Sequence, residues 1–226
     1  MSEPVSLQSA LDAVFPGATP TSRWVRRTRQ QLTGHGFDPV AALAVIGLCR
    51  DERCAPLRRR LERSWGESFD ASSLGGVPLL GRSGIQAAAS HAVGRDPAQL
   101  VVFGFTHIGV DASGRWGPAP GGTTACGALA SLLPRLPAES NLEAADLEFS
   151  LLHHALRQGG VRARNLPELT LGAHAVARAN WTQLVHHVKG QVDVALFTGV
   201  LLHGPQGDWV WSPPGLQIRS GAATAL

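Results

Sequence analysis

Cys49, Asp51 and Arg53 alternate within the stretch GLCRDERC (47–54), and Cys54 closes it. The chain has three cysteines, and two of them flank Arg50, Asp51, Glu52 and Arg53. A surface charge cluster has no need of cysteine, and a buried cysteine gains nothing from charged neighbours. Metal binding uses both, because a thiolate ligates and a nearby carboxylate can govern an open coordination position. Two more pieces stand further along. LVVFGFTHIGV (100–110) runs into His107, and Cys126 opens the helical stretch ACGALASLLPRL after a Gly/Pro-rich loop. A helix N-terminus favours an anion, and so the thiolate of Cys126. Two thiolates and one imidazole make the three protein ligands of a catalytic tetrahedral zinc, with the fourth position left for water.

Asp51 and Arg53 then acquire a purpose. In an extended segment Cys49, Asp51 and Arg53 point to one side. An unpaired aspartate beside Zn2+ is drawn onto the metal and closes the fourth position. A bidentate arginine holds the carboxylate back, leaving it to accept a hydrogen bond from zinc-bound hydroxide. Cys54 has two readings: a small buried apolar residue, or a fourth ligand that makes a closed structural zinc of three cysteines and one histidine.

The elements that must position these residues follow from periodicity. Residues 5–15 and 22–34 have helical spacing. VAALAVIGL (40–48) and 100–110 read as strands buried on both faces, delivering Cys49 and His107 at their C-terminal ends, where open parallel sheets form sites. APLRRRLERSWG, 84–93, the segment after Cys126, 141–158 and 174–189 read as helices. VDVALFTGVLLHG and DWVWSPPGLQIR read as two late strands joined by PQG. Strands alternating with helices imply an α/β fold with a largely parallel central sheet flanked by helices, in one domain over 1–226.

Composition narrows the class. With 226 residues, 44% of them apolar, the chain can bury a full core. No run approaches the roughly 20 continuous apolar residues of a membrane span. The N-terminal stretch has no basic start followed by an apolar run, so no secretory signal is read there. An odd, small number of cysteines argues against a disulfide framework and for a reducing cytoplasm. The net charge is +3 and the positive side is arginine apart from Lys189. There is no basic tail, so nucleic acid is a poor partner.

CRDER matches the Cys-x-Asp-x-Arg motif of β-type carbonic anhydrases. FGFTHIGVDASGRWG with TTACGALASLL, GGVPLLGRSG with SHAV, and VALFTGVLLHGPQGD resemble the limiting-CO2-inducible protein B family, the θ-class carbonic anhydrases, over roughly residues 40–212. The resemblance implies a β-carbonic-anhydrase-like fold, a homodimer, and one zinc per chain held by Cys49, His107 and Cys126, with Asp51 and Arg53 as catalytic dyad. The family's PHIG element stands here as THIG, with Thr106 before the ligand. The implied reaction is reversible hydration of CO2 to bicarbonate by hydroxide made on zinc, with Phe103 or Phe105 as an apolar wall for CO2. Two rivals use the same residues: a catalytically weak zinc scaffold or partner subunit in a CO2-uptake complex, and a zinc hydrolase of COS or CS2.

The remaining polar features have plainer readings. His91 is a packed or loop histidine, with proton shuttle as its alternative. His153-His154 and His186-His187 diverge by about 100° on a helix and read as surface or interface residues. LRRRLER is a solvated helix face. Trp209 and Trp211 share one strand face and read as core or dimer contacts. Gly75, Gly76, Gly81 and Gly84 read as turns, with no phosphate-loop lysine beside them.

Overall fold

ALAVIG, LVVFGF and VALFTGVLL are too apolar for strands with one wet face, so they form the buried centre of a sheet. The computed structural model describes residues 6–214 and 216–221. In chain order the elements are α1 (Leu7–Val14), β1 (Thr19–Pro20), α2 (Thr21–Gly34), β2 (Leu43–Gly47), α3 (Ala55–Trp65), β3 (Ser68–Asp70), α4 (Gly81–Ala92), β4 (Gln99–Gly109), α5 (Gly127–Leu132), α6 (Leu147–Gln158), α7 (Leu166–His186), β5 (Asp193–Gly204), β6 (Gly207–Trp211) and β7 (Gln217–Arg219). Among the described residues they form a seven-stranded sheet of order β1-β6-β5-β4-β2-β3, with β7 pairing β5. β3, β2, β4 and β5 run parallel; β6, β1 and β7 are antiparallel additions. The fold is α/β with a largely parallel central sheet flanked by helices, as the alternation of strands and helices implies.

Every residue of β4 is buried. Alternation puts Phe103, Phe105 and His107 on one face and Gly104 on the other. On the first face Trp24 of α2 meets Phe105 edge-on at 5.2 Å, and Phe103 stacks on Phe197 at 5.9 Å. On the second face α7 lies against β4 and β5. Gly47 and Gly104 are register partners on β2 and β4, and together they leave a slot that the fully buried indole of Trp181 fills. A Cβ on either glycine would collide with that ring.

Several boundaries differ from the sequence reading, two of them for reasons the residues show. α7 begins at Leu166 rather than at residue 174, because Asn165 caps it by accepting the Glu168 N–H at 2.9 Å and Pro167 occupies its first turn. The last expected strand is split: Pro213 and Pro214 cannot continue a ladder, so β6 ends at Trp211 and β7 returns antiparallel along the start of β5. Residue 215 within that segment lies outside the described residues. So do residues 1–5, including the expected first residue of the N-terminal helix; α1 starts after Ser6, whose side chain accepts the Ser9 N–H.

The slot sets a volume limit of both signs. Gly104→Ala should cost about 1–3 kcal/mol by overpacking and Trp181→Ala about 3–5 kcal/mol by leaving a cavity, read as shifts of the chemical denaturation midpoint. A Gly104→Ala variant as stable as the parent would show that the indole is not confined as described.

Candidate metal centre

β2 and β4 are neighbours and parallel, so their C-terminal ends lie side by side. Cys49 follows β2 and bridges to Ser73; His107 lies near the end of β4. Cys126 comes back to them through the loop after β4. Gly109 donates its N–H to the Ala125 carbonyl at 2.8 Å, Gly117 donates to the Gly109 carbonyl at 2.9 Å, and Ala125 donates to the Gly117 carbonyl at 2.9 Å. A Cβ on Gly109 would stand 2.5 Å from the Pro118 carbonyl oxygen, so glycine is what lets the loop lie this close. The Ala125–Cys126 peptide is cis, and Cys126 is the cap of α5.

The ligand atoms of Cys49, His107 and Cys126 all lie within 4.8 Å of one another, and all three residues are buried. The two sulfurs are 3.6 Å apart. That is well beyond the roughly 2.0 Å of a disulfide. It is near the roughly 3.8 Å expected between two sulfurs each about 2.3 Å from a tetrahedral zinc. His107 Nε2 is buried with no hydrogen-bond partner. A buried nitrogen without a hydrogen-bond partner beside two sulfurs is the kind of group a metal satisfies, and a set of two sulfurs and one nitrogen suits zinc. The contact with Cys126 lowers the pKa of the Cys49 thiol, against burial and with help from His107 and the Asp51 amide. Cys126 is pushed well up by that same contact and by burial.

Asp51 and Arg53 flank the cluster differently from the sequence expectation. The extended alternation stops at Asp51, which caps a 3-10 turn over Glu52–Cys54 and accepts the Arg53 N–H on Oδ1 at 3.0 Å. Asp51 Oδ2 stands 3.9 Å from His107 Nε2. The Arg53 guanidinium makes one contact to Asp51, at 3.7 Å, rather than a bidentate fork. The same nitrogen, Nη1, donates to Glu52 at 3.3 Å, and Nη2 donates to Thr123 Oγ1. Arg53 therefore ties the Asp51 turn to the loop that carries Cys126. The dyad is the partly open edge of the site, with side chains 15% and 22% exposed, over a core of buried ligand atoms.

Cys54 is buried and forms a second group, with His107 and His203, whose ligand atoms all lie within 4.8 Å of one another, and burial pushes its thiol well up. Phe103 and Phe105 belong to the aromatic cluster around Trp24. Thr106 is buried with its hydroxyl unpartnered. His91 is exposed at the end of α4, edge-on to Phe69 at 6.0 Å. His154, His186 and His187 are exposed, but His153 is buried, because it falls on the inward stripe of α6 with Leu152 and Leu156. Trp211 packs edge-on against Phe15 and His174. Sequence reasoning passed over His203 and Asp208. A His and an Asp flanking a short turn are cross-strand partners in a hairpin, and that signal stood in HGPQGD.

A parallel sheet whose strand ends gather two cysteines and a histidine around one point defines a metal-competent α/β protein. Residues 18–216 match the family of limiting CO2-inducible proteins B/C, β-carbonic anhydrases, and the chain belongs to that family. No curated protein matches it. Among solved structures it is similar to PtLCIB4, a homologue of the limiting CO2-inducible protein LCIB, at TM-score 0.83 and 22% identity over 95% of this chain and 96% of that one. The H88A mutant of the same protein gives TM-score 0.83 at 21% identity over 96% and 95%. LCIB itself gives TM-score 0.77 at 24% identity over 93% and 97%. These likenesses show a shared fold.

Cys54 lies outside the group of two sulfurs and one nitrogen, so Cys54→Ser should keep bound zinc at the parent's stoichiometry, measured by elemental analysis. Loss of the metal in that variant would move Cys54 into the ligand set.

Proposed function

We propose that the chain is a zinc-dependent carbonic anhydrase, interconverting CO2 and bicarbonate, with one Zn2+ held by Cys49, His107 and Cys126. The observation that carries this reading is the unpartnered Nε2 of His107 beside the two sulfurs, with the Asp51 carboxylate at 3.9 Å. Zinc in such a site supplies a Lewis acid able to make water a nucleophile near neutral pH. Cys49 and Cys126 as thiolates neutralise its formal charge, which leaves more of the work of proton removal to Asp51. Asp51 Oδ2 is the acceptor that orients the reacting water, while Oδ1 is anchored by the Arg53 amide. Arg53 restrains the carboxylate and closes the loop over it through Thr123. The family membership and the resemblance read in the motifs support this activity and a homodimer as working unit, and the free cysteines support a cytoplasmic setting. Among the described residues no helix is long and apolar enough to cross a membrane.

One observation favours a second reading, a zinc scaffold with little turnover. A carboxylate oxygen so close to the ligating nitrogen, restrained by a single long arginine contact, can itself compete for the position that water needs. Zinc content measured together with stopped-flow CO2 hydration separates the two. The parent should carry about one zinc per chain and accelerate hydration. Cys126→Ser should lose most of both. Arg53→Ala should keep the zinc and lose activity by about tenfold or more, the range for residues that position the partners of a metal site. A zinc-loaded parent without hydration activity establishes the scaffold, and an unchanged rate in Arg53→Ala removes the dyad from the mechanism.

A further inference from the structure

We infer that His203 and Asp208 form a positioning relay that holds the proton of His107 on Nδ1 and so presents the Nε2 lone pair to the metal. The inference rests on the zinc reading of the cluster and adds two residues to it. His107 Nδ1 is 3.1 Å from His203 Nε2, and His203 Nδ1 is 3.0 Å from Asp208 Oδ1. The two rings meet nearly at right angles, 82°, with centroids 5.2 Å apart. His107 is 0% exposed and His203 3%, so water does not compete for these bonds.

The carboxylate end sets the direction of the whole chain. A carboxylate only accepts, so the proton of His203 sits on Nδ1. With a single ring proton His203 has a bare Nε2, which can only accept, and His107 then donates from Nδ1. With that proton in place His107 Nε2 carries the lone pair, and Nε2 is the nitrogen left without a partner beside the sulfurs. The opposite direction would put a proton on His107 Nε2 and block it as a ligand. A ligand imidazole that donates its other N–H is also oriented and made more basic.

The three residues come from three adjacent strands. His107 lies on β4 and His203 on β5, whose pairing runs on to Gly109 opposite His203. Asp208 on β6 is the direct register partner of His203, across the turn at residues 205–206. The Val110 N–H donates to the His203 carbonyl at 2.8 Å, tying the end of β4 to the same residue. The β5–β6 hairpin thereby gains a role that its distance from GLCRDERC in sequence conceals.

The test uses the full chain labelled with 15N-histidine, as purified and after zinc removal by a chelator, and reads the ring tautomers by two-bond 15N–1H correlation. The parent should show His107 with its proton on Nδ1 even without zinc, and His203 likewise. His203→Phe removes the acceptor: the His107 tautomer should redistribute, and zinc affinity by chelator competition should fall about 10- to 100-fold. His203→Gln keeps an acceptor in its amide oxygen and should recover most of the affinity and the Nδ1–H tautomer. A purely packing role for His203 would not distinguish Gln from Phe in this way. An Nε2–H tautomer in the zinc-free parent, or parental affinity in His203→Phe, overturns the relay. Should His203→Phe fail to fold, the tautomer of the parent and the affinity of His203→Gln decide. Should the parent take up no zinc, the zinc reading fails, and the tautomer measurement, which needs no metal, still decides the relay.

Discussion

Cys49 and Cys126 hold their sulfurs 3.6 Å apart, next to an imidazole nitrogen without a hydrogen-bond partner, with all three side chains buried. Two thiols pressed together in this way displace each other's pKa values, Cys49 downward and Cys126 upward. Removing polar and charged groups from water is costly unless each finds a partner. A cation bound by all three offsets that cost, and its binding free energy then adds to folding free energy. The wall around the cluster therefore has to be rigid, because ligand atoms that could drift apart would lose the geometry that makes the burial tolerable.

Rigidity comes from the centre of the sheet. β2 and β4 are held in register along Leu43–Gly47, and the paired glycines let Trp181 lie against the sheet as a wedge from α7. The opposite face is filled by the aromatic cluster of Trp24, Phe103, Phe105 and Phe197. The strands thus end at a fixed level, and Cys49 and His107 inherit that precision. Cys126 has no strand of its own. It is placed by backbone hydrogen bonds among Gly109, Gly117 and Ala125, and the Arg53–Thr123 contact fastens the same loop from the other side. The candidate ligands Cys49 and His107 are set by the strands and Cys126 by its fastened loop, while Asp51 and Arg53 sit on a turn at the partly exposed rim.

Much of this arrangement was legible in the residues. The three ligand candidates were marked by type and by their places at strand ends and a helix start, since alternation of buried strands and helices dictates a parallel sheet and a parallel sheet gathers its strand ends. Legibility stopped where the outcome depends on contacts between distant segments. The start of α7 was hidden because Asn165 and Pro167 lie outside the apolar periodicity. The split of the last strand turned on Pro213 and Pro214 within a run that otherwise reads as β. The one-point contact between Arg53 and Asp51 could not be read from an alternating motif, because Asp51 also serves as a cap and Thr123 competes for the guanidinium. His203 and Asp208 carry no motif of their own; only the register of β4, β5 and β6 brings them behind His107.

The central claim is the donor set, and X-ray absorption at the zinc edge of the purified protein reads it directly. The expected spectrum has two sulfur neighbours at about 2.3 Å and nitrogen or oxygen neighbours at about 2.0–2.1 Å. Three sulfurs would bring Cys54 into the site and close it. A protein without metal, or a shell of nitrogen and oxygen alone, would contradict the assignment of Cys49 and Cys126 as ligands.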